Sequence, residues 1–529
     1  MAIRGFIGFW SYLKGGVFSQ SLCDIYKANI VDSVHIRKDF GFVIATNDYL
    51  CSDDENLVLN AGACDIPDSN ALKISIEVTK TQIEINRDRW GTRSINYCCV
   101  EGGIYFASDV RFLLALPIPE IAEYDQMSLT ESATLGYIYS EERTLFKKIK
   151  QVPRNSELIY SISGLKITRN IISADKDRFK DIGSAVSSFG KAFESTVANA
   201  TKITGNKAYF LSGGIDSTAL VLIAANHLDK LNTVSFASEN NSEDIYYAKK
   251  VSKSVGSDHT IIQFDEQKIL EQLPSFLHDI ENVEFEGIFS PLGGYAYYVL
   301  CAEVAKFGFN VIFPGEGADE ILAGYYWSLT HTFGFVDRLR ENSNDDVIYA
   351  QLVKLFPEVE DRNLYREIAY YFLQGSALTN YHLNCIEHSA KAFDLYSYPI
   401  YMATQIDEIV RDVPMKWLCD GENTKIILKE YLKPRLERIS LSELISRKKS
   451  AMPSVIPISF MKKINSIAKC EACNSENPYW NILQDKPLNI LLLDVLHKYY
   501  TLRPLEKIDI LEWKEDLERI NRNERIVHW

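Results

Sequence analysis

The segment FLSGGIDSTAL, at positions 210–220, sets two glycines, two serines and an acid between an apolar run and a stretch of helix formers. Backbone N–H groups of the turn at 212–214 can point inward and bind an anion, and the helix that follows adds its positive dipole end. The hydroxyls of Ser212 and Ser217 supply further donors. Asp216 fits beside phosphates if it holds a Mg²⁺ that the phosphates share. The segment therefore predicts a phosphate site with a bound metal ion.

A second segment, VIFPGEGADEILAGYYW at 311–327, has the same order of apolar run, glycine–acid loop and renewed helix. We expect the two loops to face each other across one nucleotide. A plain turn with Asp216 as the helix N-cap would explain that aspartate alone, but not the whole LSGGIDS pattern. The first loop has neither the GK[ST] of a Walker loop nor a GxGxxG fingerprint, which excludes those two nucleotide-binding motifs there.

The elements that must position these loops change character along the chain. Up to about residue 180, short β-rich runs separated by polar or glycine turns predict an α+β domain rich in antiparallel strands. From about residue 183 the apolar residues take a helical spacing, and strands then alternate with helices up to the second loop. That alternation predicts a parallel sheet with helices on both faces, followed from about residue 330 by a mostly helical part. We therefore divide the chain into domains 1–180 and 181–529.

Composition limits the classes of function. A net charge of −14 argues against nucleic acid or an anionic membrane as the main partner, because both require a basic surface. No apolar run reaches the roughly 20 residues of a membrane span. The ten cysteines are scattered, as expected for reduced thiols in a cytoplasmic protein. Cys470 and Cys473 form a single CxxC without a second pair, which is a weak signal for zinc.

Four stretches together resemble the glutamine-hydrolysing asparagine synthetases. SGGxDS at a strand–helix junction is similar to the pyrophosphate loop of the N-type ATP pyrophosphatases, and GEGADEILAGYY is similar to the second signature of the synthetases. The segments at 86–116 and 144–159 are similar to parts of the family's glutaminase domain. The resemblance spans about residues 1 to 450. It implies an N-terminal glutaminase-like domain of the Ntn type, with antiparallel sheets, and an ATP-pyrophosphatase-type synthetase domain.

The resemblance also implies a reaction. ATP activates a carboxylate as an acyl-adenylate, pyrophosphate leaves, and an amine attacks to form an amide. Asp216 and Asp319 would hold the Mg²⁺. Glu316 would accept the proton of the amine, and Glu320 would orient that site or the substrate. The contacts to ATP and pyrophosphate would come from the two loops and from the strand ends beside the adenine, namely Leu211, Ser212, Gly213, Gly214, Asp216, Ser217, Phe236 and Gly315.

A cation is expected to meet the charge of the transition state. ISRKKSAMP, at 445–453, is similar to the WRxK segment of the synthetases and puts Lys449 at the position of their catalytic lysine. Lys448 is the adjacent alternative. A solvated basic cluster is the other interpretation of this segment.

The nucleophile of the glutaminase domain is missing from its expected position. Members that use glutamine carry, after removal of Met, an N-terminal cysteine whose own α-amine serves as the base. The run RGFIGF puts Arg4 in that place, and none of the cysteines precedes Cys23. Because an arginine cannot attack an amide, we predict that glutaminase activity is absent and that the N-terminal domain is a scaffold.

Relatives without that cysteine close amides within one molecule, as do β-lactam synthetase, carbapenam synthetase and the lasso peptide cyclases. The two small-ring enzymes replace the acid of GEGxDE by a tyrosine, whereas this chain keeps Glu316. The RxPFLD stretch of the asparagine synthetases appears here as YSYPI, with Ser397 in place of the arginine. This difference argues against the usual aspartate pocket.

We therefore predict an ATP-dependent C–N ligase that forms AMP and pyrophosphate without using glutamine. The leading interpretation is intramolecular lactam or lasso-type macrolactam formation in specialised-metabolite biosynthesis. Ammonia-dependent amidation of a small acid, and a non-catalytic scaffold on the same fold, are the alternatives. The expected substrate is a small-molecule or peptide carboxylate that carries or meets an amine. A precursor peptide, a protease that frees its amine and a second copy of the chain are candidate partners.

Overall fold

The computed structural model describes the chain in segments. For the strands between residues 33 and 61 it describes the backbone alone. The described ranges are 6–12, 33–37, 42–46, 50–52, 57–61, 74–170, 174–175, 177–237, 243–263, 265–280, 293–324, 373–420, 422–447, 458–483, 486–506, 508–522 and 524–527.

Two antiparallel sheets form the N-terminal part of the fold. Among the described residues each has six strands. In spatial order, the first contains β10 (Lys150–Gln151), β8 (Asn96–Val100), β9 (Gly103–Ala107), β1 (Phe6–Ser11), β3 (Phe42–Thr46) and β2 (Ser33–Arg37). The second contains β12 (Gly164–Arg169), β11 (Ser156–Ser161), β7 (Gln82–Arg87), β6 (Ile74–Val78), β5 (Leu57–Ala61) and β4 (Leu50–Ser52).

Alternating side chains hold the two sheets together. In β7, QIEINR, Ile83 and Ile85 are fully buried while Gln82, Glu84 and Asn86 are partly exposed, as the two-residue period of a strand requires. They share one apolar cluster with Trp10 and Phe106 of the first sheet. Full burial of such a side chain stabilises the fold by about 1.5–3 kcal/mol. The alternation in the sequence therefore encodes the face on which the sheets meet.

A parallel sheet forms the second half of the fold and carries the two loops. Each strand pairs in parallel with its neighbours. Its order, among the described residues, is β15 (Asp258–Gln263), β14 (Asn232–Ala237), β13 (Lys207–Phe210), β16 (Val311–Phe313) and β17 (Tyr396–Ser397).

The helices that accompany the sheets are α1 (Val110–Leu114), α2 (Gln126–Leu135), α3 (Ile182–Ala200), α4 (Ile215–Ala224), α5 (Glu243–Val255), α6 (Glu266–Asp279), α7 (Gly293–Lys306) and α8 (Ala318–Ile321). A π-helical segment, Leu373–Leu383, leads into α9 (Asn384–Ala392). The later helices are α10 (Thr404–Val410), α11 (Met415–Leu418), α12 (Ile426–Arg438), α13 (Ile458–Asn474), α14 (Pro487–Leu496) and α15 (Ile510–Asn521). A second π-helical turn, His497–Thr501, follows α14, and short 3₁₀ turns occupy Ile400–Met402 and Ser442–Ile445.

The predicted fold class is confirmed, since antiparallel sheets precede a parallel sheet with its helices. The helix after the first loop ends at Ala224. The described part beyond residue 330 is mostly helical, as expected, and also contains the strand β17, which is two residues long and therefore leaves no periodicity in the sequence. The division at residue 180 stays a prediction.

The C-terminal helices pack against the rest of the chain. Trp513 on α15 is fully buried and donates its indole N–H to the carbonyl of Leu270, at 2.9 Å. The Tyr124 hydroxyl lies 2.7 Å from that of Thr501, and this contact ties the end of the chain to the N-terminal part. No helix in the described ranges is long and apolar enough to cross a membrane.

A buried charge network joins the two halves. The Arg111 guanidinium on α1 lies 2.8 Å from carboxylate oxygens of both Asp109 and Asp279, and the Tyr298 hydroxyl donates to Asp279 at 2.8 Å. Removing one member of such a network leaves a buried charge without its partner, which is strongly destabilising. The network therefore fixes how α6 and α7 of the second half sit against the first.

Two buried carboxyl groups face each other in the C-terminal helices. Glu471 on α13 and Asp494 on α14 are both almost fully buried. Asp494 accepts hydrogen bonds from Ser475 and Asn477, at 2.6 and 2.9 Å. Burial, and then the neighbouring charge of Asp494, raises the pKa of Glu471 to about 8. Glu471 is therefore the member that holds a proton at neutral pH.

Glu471→Gln tests this assignment. The pKa of Glu471 is higher in the folded chain, so its contribution to stability is complete below its ordinary pKa of 4.5 and is lost as the pH rises through about 8. We expect the unfolding free energy of the unmodified chain to fall over that range by up to about 1.4 kcal/mol per pH unit from this group. Glu471→Gln should remove that slope in urea unfolding measured from pH 5 to 9. The exposed Glu515→Gln is the control, and an equal slope in all three chains would contradict the assignment.

Candidate functional site

The first loop lies between β13 and α4. The Ser217 hydroxyl accepts a hydrogen bond from the backbone N–H of Ser212, at 3.1 Å, and lies 3.1 Å from the Ser212 hydroxyl. Gly213 has a φ of +78°, and a Cβ there would overlap the carbonyl oxygen of Asp244 at the start of α5. Only glycine meets both demands. The loop therefore passes close to α5 with its two serine hydroxyls drawn together.

The predicted adenine contacts lie beside this loop. Leu211 is fully buried and donates its N–H to the carbonyl of Val234 on the next strand, at 2.8 Å. Phe236 is partly buried one residue before the end of that strand, β14. Both residues thus lie at the carboxyl ends of neighbouring parallel strands, where open α/β sheets bind their ligands. Their contact with adenine stays a prediction.

The second loop follows β16, which pairs directly with β13, so both loops leave the same edge of the sheet. A Cβ on Gly315 would lie 3.4 Å from the backbone nitrogen of Ser217 and 3.6 Å from the Asp216 Cβ. The two loops are thus so close here that any side chain at position 315 would touch the first loop. Helix α8 then begins with Asp319 and Glu320 in its first turn, and both are buried.

A buried lysine joins the two aspartates of the loops. The ammonium of Lys425, which directly precedes α12, lies 2.5 Å from Asp216 Oδ2 and 2.6 Å from Asp319 Oδ1. Burial acts to lower the pKa of Lys425, but the charges of Asp216 and Asp319 outweigh it and raise that pKa above its ordinary value. The two carboxylates therefore converge on one positive charge.

This pair of aspartates has the donor set that a divalent metal ion needs. Carboxylate oxygens are the protein ligands that Mg²⁺ prefers, and Mg²⁺ is commonly held by one or two carboxylates together with phosphate oxygens. Asp216 and Asp319 supply those oxygens, and Lys425 shows that the two can share one cation. The pair therefore fits the Mg²⁺ that the sequence predicted.

Glu316 belongs to a second group on the same loop. Its Oε1 lies 2.9 Å from His382 Nδ1, and the Tyr297 hydroxyl donates a hydrogen bond to its Oε2. Burial first, and then the charge of Glu316, raises the pKa of Tyr297 well above its ordinary value, so this hydroxyl keeps its proton. Glu320 Oε1 lies 3.5 Å from the other ring nitrogen of His382.

The basic segment near 445–453 reaches the first loop through Arg447. Its Nη1 donates to the carbonyl of Gly213 at 2.8 Å, and its guanidinium pairs with Asp244 and lies over the Tyr247 ring. Lys449, Lys448 and Arg4 lie outside the described residues, so their predicted roles stay predictions.

Ser397, which the resemblance puts in the place of the family's arginine, is buried on β17. Its carbonyl accepts a hydrogen bond from Arg93 Nη2 at 3.1 Å, and the Arg93 guanidinium lies 4.8 Å from the centre of the Tyr396 ring. Arg93 comes from the N-terminal half, so a guanidinium reaches this strand from a distant part of the chain.

Sequence reasoning missed four side chains of the site. Lys425 lies in TKIILKEYL, a stretch that carries no motif of its own. A histidine inside a helical segment, a tyrosine on a mostly apolar helix and an arginine beside two lysines give no distinct signal of their own. The four are Lys425, His382, Tyr297 and Arg447.

The chain matches a known family and several known sequences. The family model described as asparagine synthase matches residues 188–492. Glutamine-hydrolyzing asparagine synthetase 3 of Bacillus subtilis (strain 168) is 28% identical over 260 residues, which cover 46% of this chain and 41% of that protein. Asparagine synthetase 1 of the same organism is 24% identical over 244 residues, covering 45% and 37%. The match thus spans less than half the length of these relatives.

A solved structure, the glutamine phosphoribosylpyrophosphate amidotransferase from B. subtilis, aligns with 50% of this chain and 92% of its own. Its TM-score of 0.21 and identity of 8% are too low to support a structural argument. The family match is different in kind, because it covers more than half of the chain and includes both loops and the helices that complete the site. On that ground the chain belongs to the asparagine synthase family.

Proposed function

We propose that this protein is an ATP-dependent amide ligase that adenylates a carboxylate, releases pyrophosphate and AMP, and forms the amide without hydrolysing glutamine. The observation that carries the proposal is the convergence of Asp216 and Asp319, one from each loop, on the single cation of Lys425. Two facing loops that share one positive charge suit a polyphosphate lying between them.

The first loop would bind the leaving pyrophosphate. Its backbone N–H groups and the start of α4 favour an anion. The hydroxyls of Ser212 and Ser217, 3.1 Å apart, would add donors at the same place. Arg447, which donates to the carbonyl of Gly213, holds the loop from the other side.

A metal ion would complete this part of the site. Mg²⁺ supplies charge neutralisation on the pyrophosphate as it leaves. Asp216 and Asp319 would hold it, and Lys425 keeps the two carboxylates together. Lys449 would add a second cation near the transition state, as the family resemblance implies.

The amine end of the reaction would use Glu316. Its carboxylate is largely buried, is contacted by Tyr297 and lies three residues before Asp319. A largely buried carboxylate in the same GEGADE segment as Asp319 is suited to accept the proton of an attacking amine. This role is separate from phosphate binding, so changes at Glu316 are expected to affect amide formation more than ATP binding.

The source of the amine distinguishes the candidate reactions. Arg4 at the position of the glutaminase nucleophile supports glutamine-independent chemistry. The substitution at Ser397 supports an acid other than aspartate, which favours closure of a lactam or a lasso-type macrolactam on a substrate that carries its own amine. A precursor peptide and a protease that frees its amine would then be partners. Glu316 favours a second candidate, ammonia-dependent amidation of a small acid, because it keeps the acid of the asparagine synthetases.

The proposal is tested by the products and by the amine source. The chain is incubated with ATP, Mg²⁺ and aspartate, and separately with amino acids that bear a distant carboxylate. Each acid is supplied with glutamine, with ammonium or with neither. We expect AMP and pyrophosphate in equal amounts with at least one acid, and no glutamate from glutamine. Turnover of aspartate with ammonium selects the second candidate. Release of glutamate from glutamine, or ADP as the product, would contradict the proposal.

Asp216→Ala separates an enzyme from a scaffold. Because Asp216 would hold the metal ion, we expect pyrophosphate release to fall by at least about 10²-fold while the fold is retained. Asp229→Ala, an exposed aspartate beyond the end of α4, is the matched control and should keep full activity. Equal rates in the two variants would remove Asp216 from the reaction.

Lys425→Met tests the shared cation without any substrate. Removing the ammonium leaves two buried carboxylates facing each other, so we expect the unfolding free energy to fall by about 3 kcal/mol or more. Millimolar Mg²⁺ should restore part of this loss, because the ion can replace the missing charge. Lys433→Met, at an exposed position of α12, is the control in the same thermal unfolding series. A variant that behaves like Lys433→Met, or gains nothing from Mg²⁺, would contradict this account of the pair.

A further inference from the structure

His382 lies between the two glutamates of the second loop. Its Nδ1 is 2.9 Å from Glu316 Oε1 and its Nε2 is 3.5 Å from Glu320 Oε1, so each ring nitrogen faces a different carboxylate. The histidine side chain is 15% exposed, and those of Glu316 and Glu320 are 11% and 1% exposed. The ring is therefore held almost out of water between two acids.

This arrangement suits a shared proton better than a metal ion. One oxygen of each glutamate and one ring nitrogen lie within 4.8 Å of one another, which is close enough for the three groups to surround a cation. A metal ion, however, takes one ring nitrogen and needs both carboxylates on that side. In this group each nitrogen lies nearest to a different acid, Nδ1 at 2.9 Å from Glu316 and Nε2 at the longer distance of 3.5 Å from Glu320. Such an arrangement can act as a donor–acceptor chain. The geometry favours an imidazole that takes a proton from one carboxylate while the other orients it.

We propose that Glu316 and His382 form one proton-accepting pair, with Glu320 as the carboxylate that orients the imidazole. This inference rests on the proposed ligase function and deepens it. His382 is a positioning residue in this scheme, since it acts on the amine through Glu316. Nothing in the family resemblance assigned a role to this position.

The proton and the electrons of the amide-forming step are all accounted for. The N–H bond of the amine breaks, and the nitrogen electron pair forms the new C–N bond. The bond from the acyl carbon to the oxygen of AMP breaks, and its electrons leave on the AMP phosphate. The proton passes to Glu316 Oε1, from which it is shared with His382 Nδ1. The Glu320 carboxylate, on the other side of the ring, stabilises the imidazolium that this transfer forms.

The N-terminal half holds the segment that carries His382. Thr379, in the same π-helical segment, donates its hydroxyl hydrogen to the carbonyl of Trp90 at 2.8 Å. Asn380 donates to the carbonyls of Ile138 and Ser140, at 2.9 and 3.0 Å. A π-helical stretch is a rare conformation that is frequent at functional sites. These hydrogen bonds lie within three residues of the ring and fix the segment that presents it.

Among the described residues, the titratable groups that face the ring are few. Glu316 and Glu320 come from the second loop and α8. Tyr297 on α7 reaches it through Glu316, and its raised pKa keeps its hydroxyl protonated. Tyr381, the neighbour in the chain, lies edge-on with its ring centre 4.8 Å away. Glu316 and His382 are therefore expected to carry most of the proton exchange at this site.

The pair can take the proton of an amine only after any proton already held between Glu316 and His382 has left. The rate of amide formation should consequently fall on the acidic side with the midpoint of the pair, and not with that of an isolated carboxylate. A residue that served only to hold Glu316 in place, without sharing its proton, would change the rate and leave this midpoint unmoved.

The kinetic test compares His382→Asn and His382→Gln with the control His497→Gln. Asn puts an amide near the place of Nδ1 and can still hold Glu316, but it cannot accept a proton. With an acid that supports AMP release, we expect kcat to fall by roughly 10²-fold in both His382 variants, with the KM for ATP unchanged. The acidic limb of the pH–rate profile should move to lower pH. His497 lies beside Tyr124, outside the candidate site, so His497→Gln should show neither effect.

A second measurement needs no substrate. In the full chain labelled with ¹⁵N-histidine, the ring signals that vanish in His382→Asn identify this residue. Their titration midpoint should move to lower pH in Glu316→Gln, because the facing charge is lost, and should stay in place in Glu303→Gln on α7. An unmoved midpoint in Glu316→Gln would overturn the pair even if the ligase is active. Coupling in the NMR titration with no AMP from any acid would instead count against the proposed function alone.

Discussion

The contact of Lys425 with Asp216 and Asp319 is the interaction on which the site depends. Two aspartates from different loops lie close together in a buried place, where their mutual repulsion would force the loops apart without a cation between them. The lysine ammonium, at 2.5 and 2.6 Å, supplies that cation and holds the loops at one separation. At this separation a side chain at position 315 would touch the first loop. The two carboxylates suit a metal ion, and the ammonium beside them suits phosphates.

The rest of the fold brings these groups to one edge of the parallel sheet. Direct parallel pairing of β13 with β16 brings both loops to one edge of the sheet. Lys425, directly before α12, lies at that edge. Arg447, directly before the undescribed residues 448–457, also reaches it. The described residues of the N-terminal half bind the π-helical segment through Thr379 and Asn380. The scaffold role that we propose for this half would consist of fixing the segment beside Glu316.

The sequence predicted those parts that are encoded locally. The strand–loop–helix order around SGGIDS and GEGADE, the two sheet types and the helix with Phe189 and Phe193 buried were all readable from short patterns. Lys425 and His382 could not be found in that way, because each is defined by a partner more than 60 residues away. The strand β17 could not be predicted for a related reason, since its two residues gain their β conformation only by pairing with β16. Long-range contacts thus completed a site of which the motifs showed only the loops.

The central claim, that the two loops bind one Mg²⁺–nucleotide together, is tested most directly by a double-mutant cycle. Calorimetry would measure the binding of a non-hydrolysable ATP analogue with Mg²⁺ to the unmodified chain, to Asp216→Asn, to Asp319→Asn and to the double variant. If both carboxylates serve one ion, each single change removes most of the Mg²⁺-dependent affinity and the second change adds little. Losses that simply add, or binding that neither change weakens, would contradict the shared site.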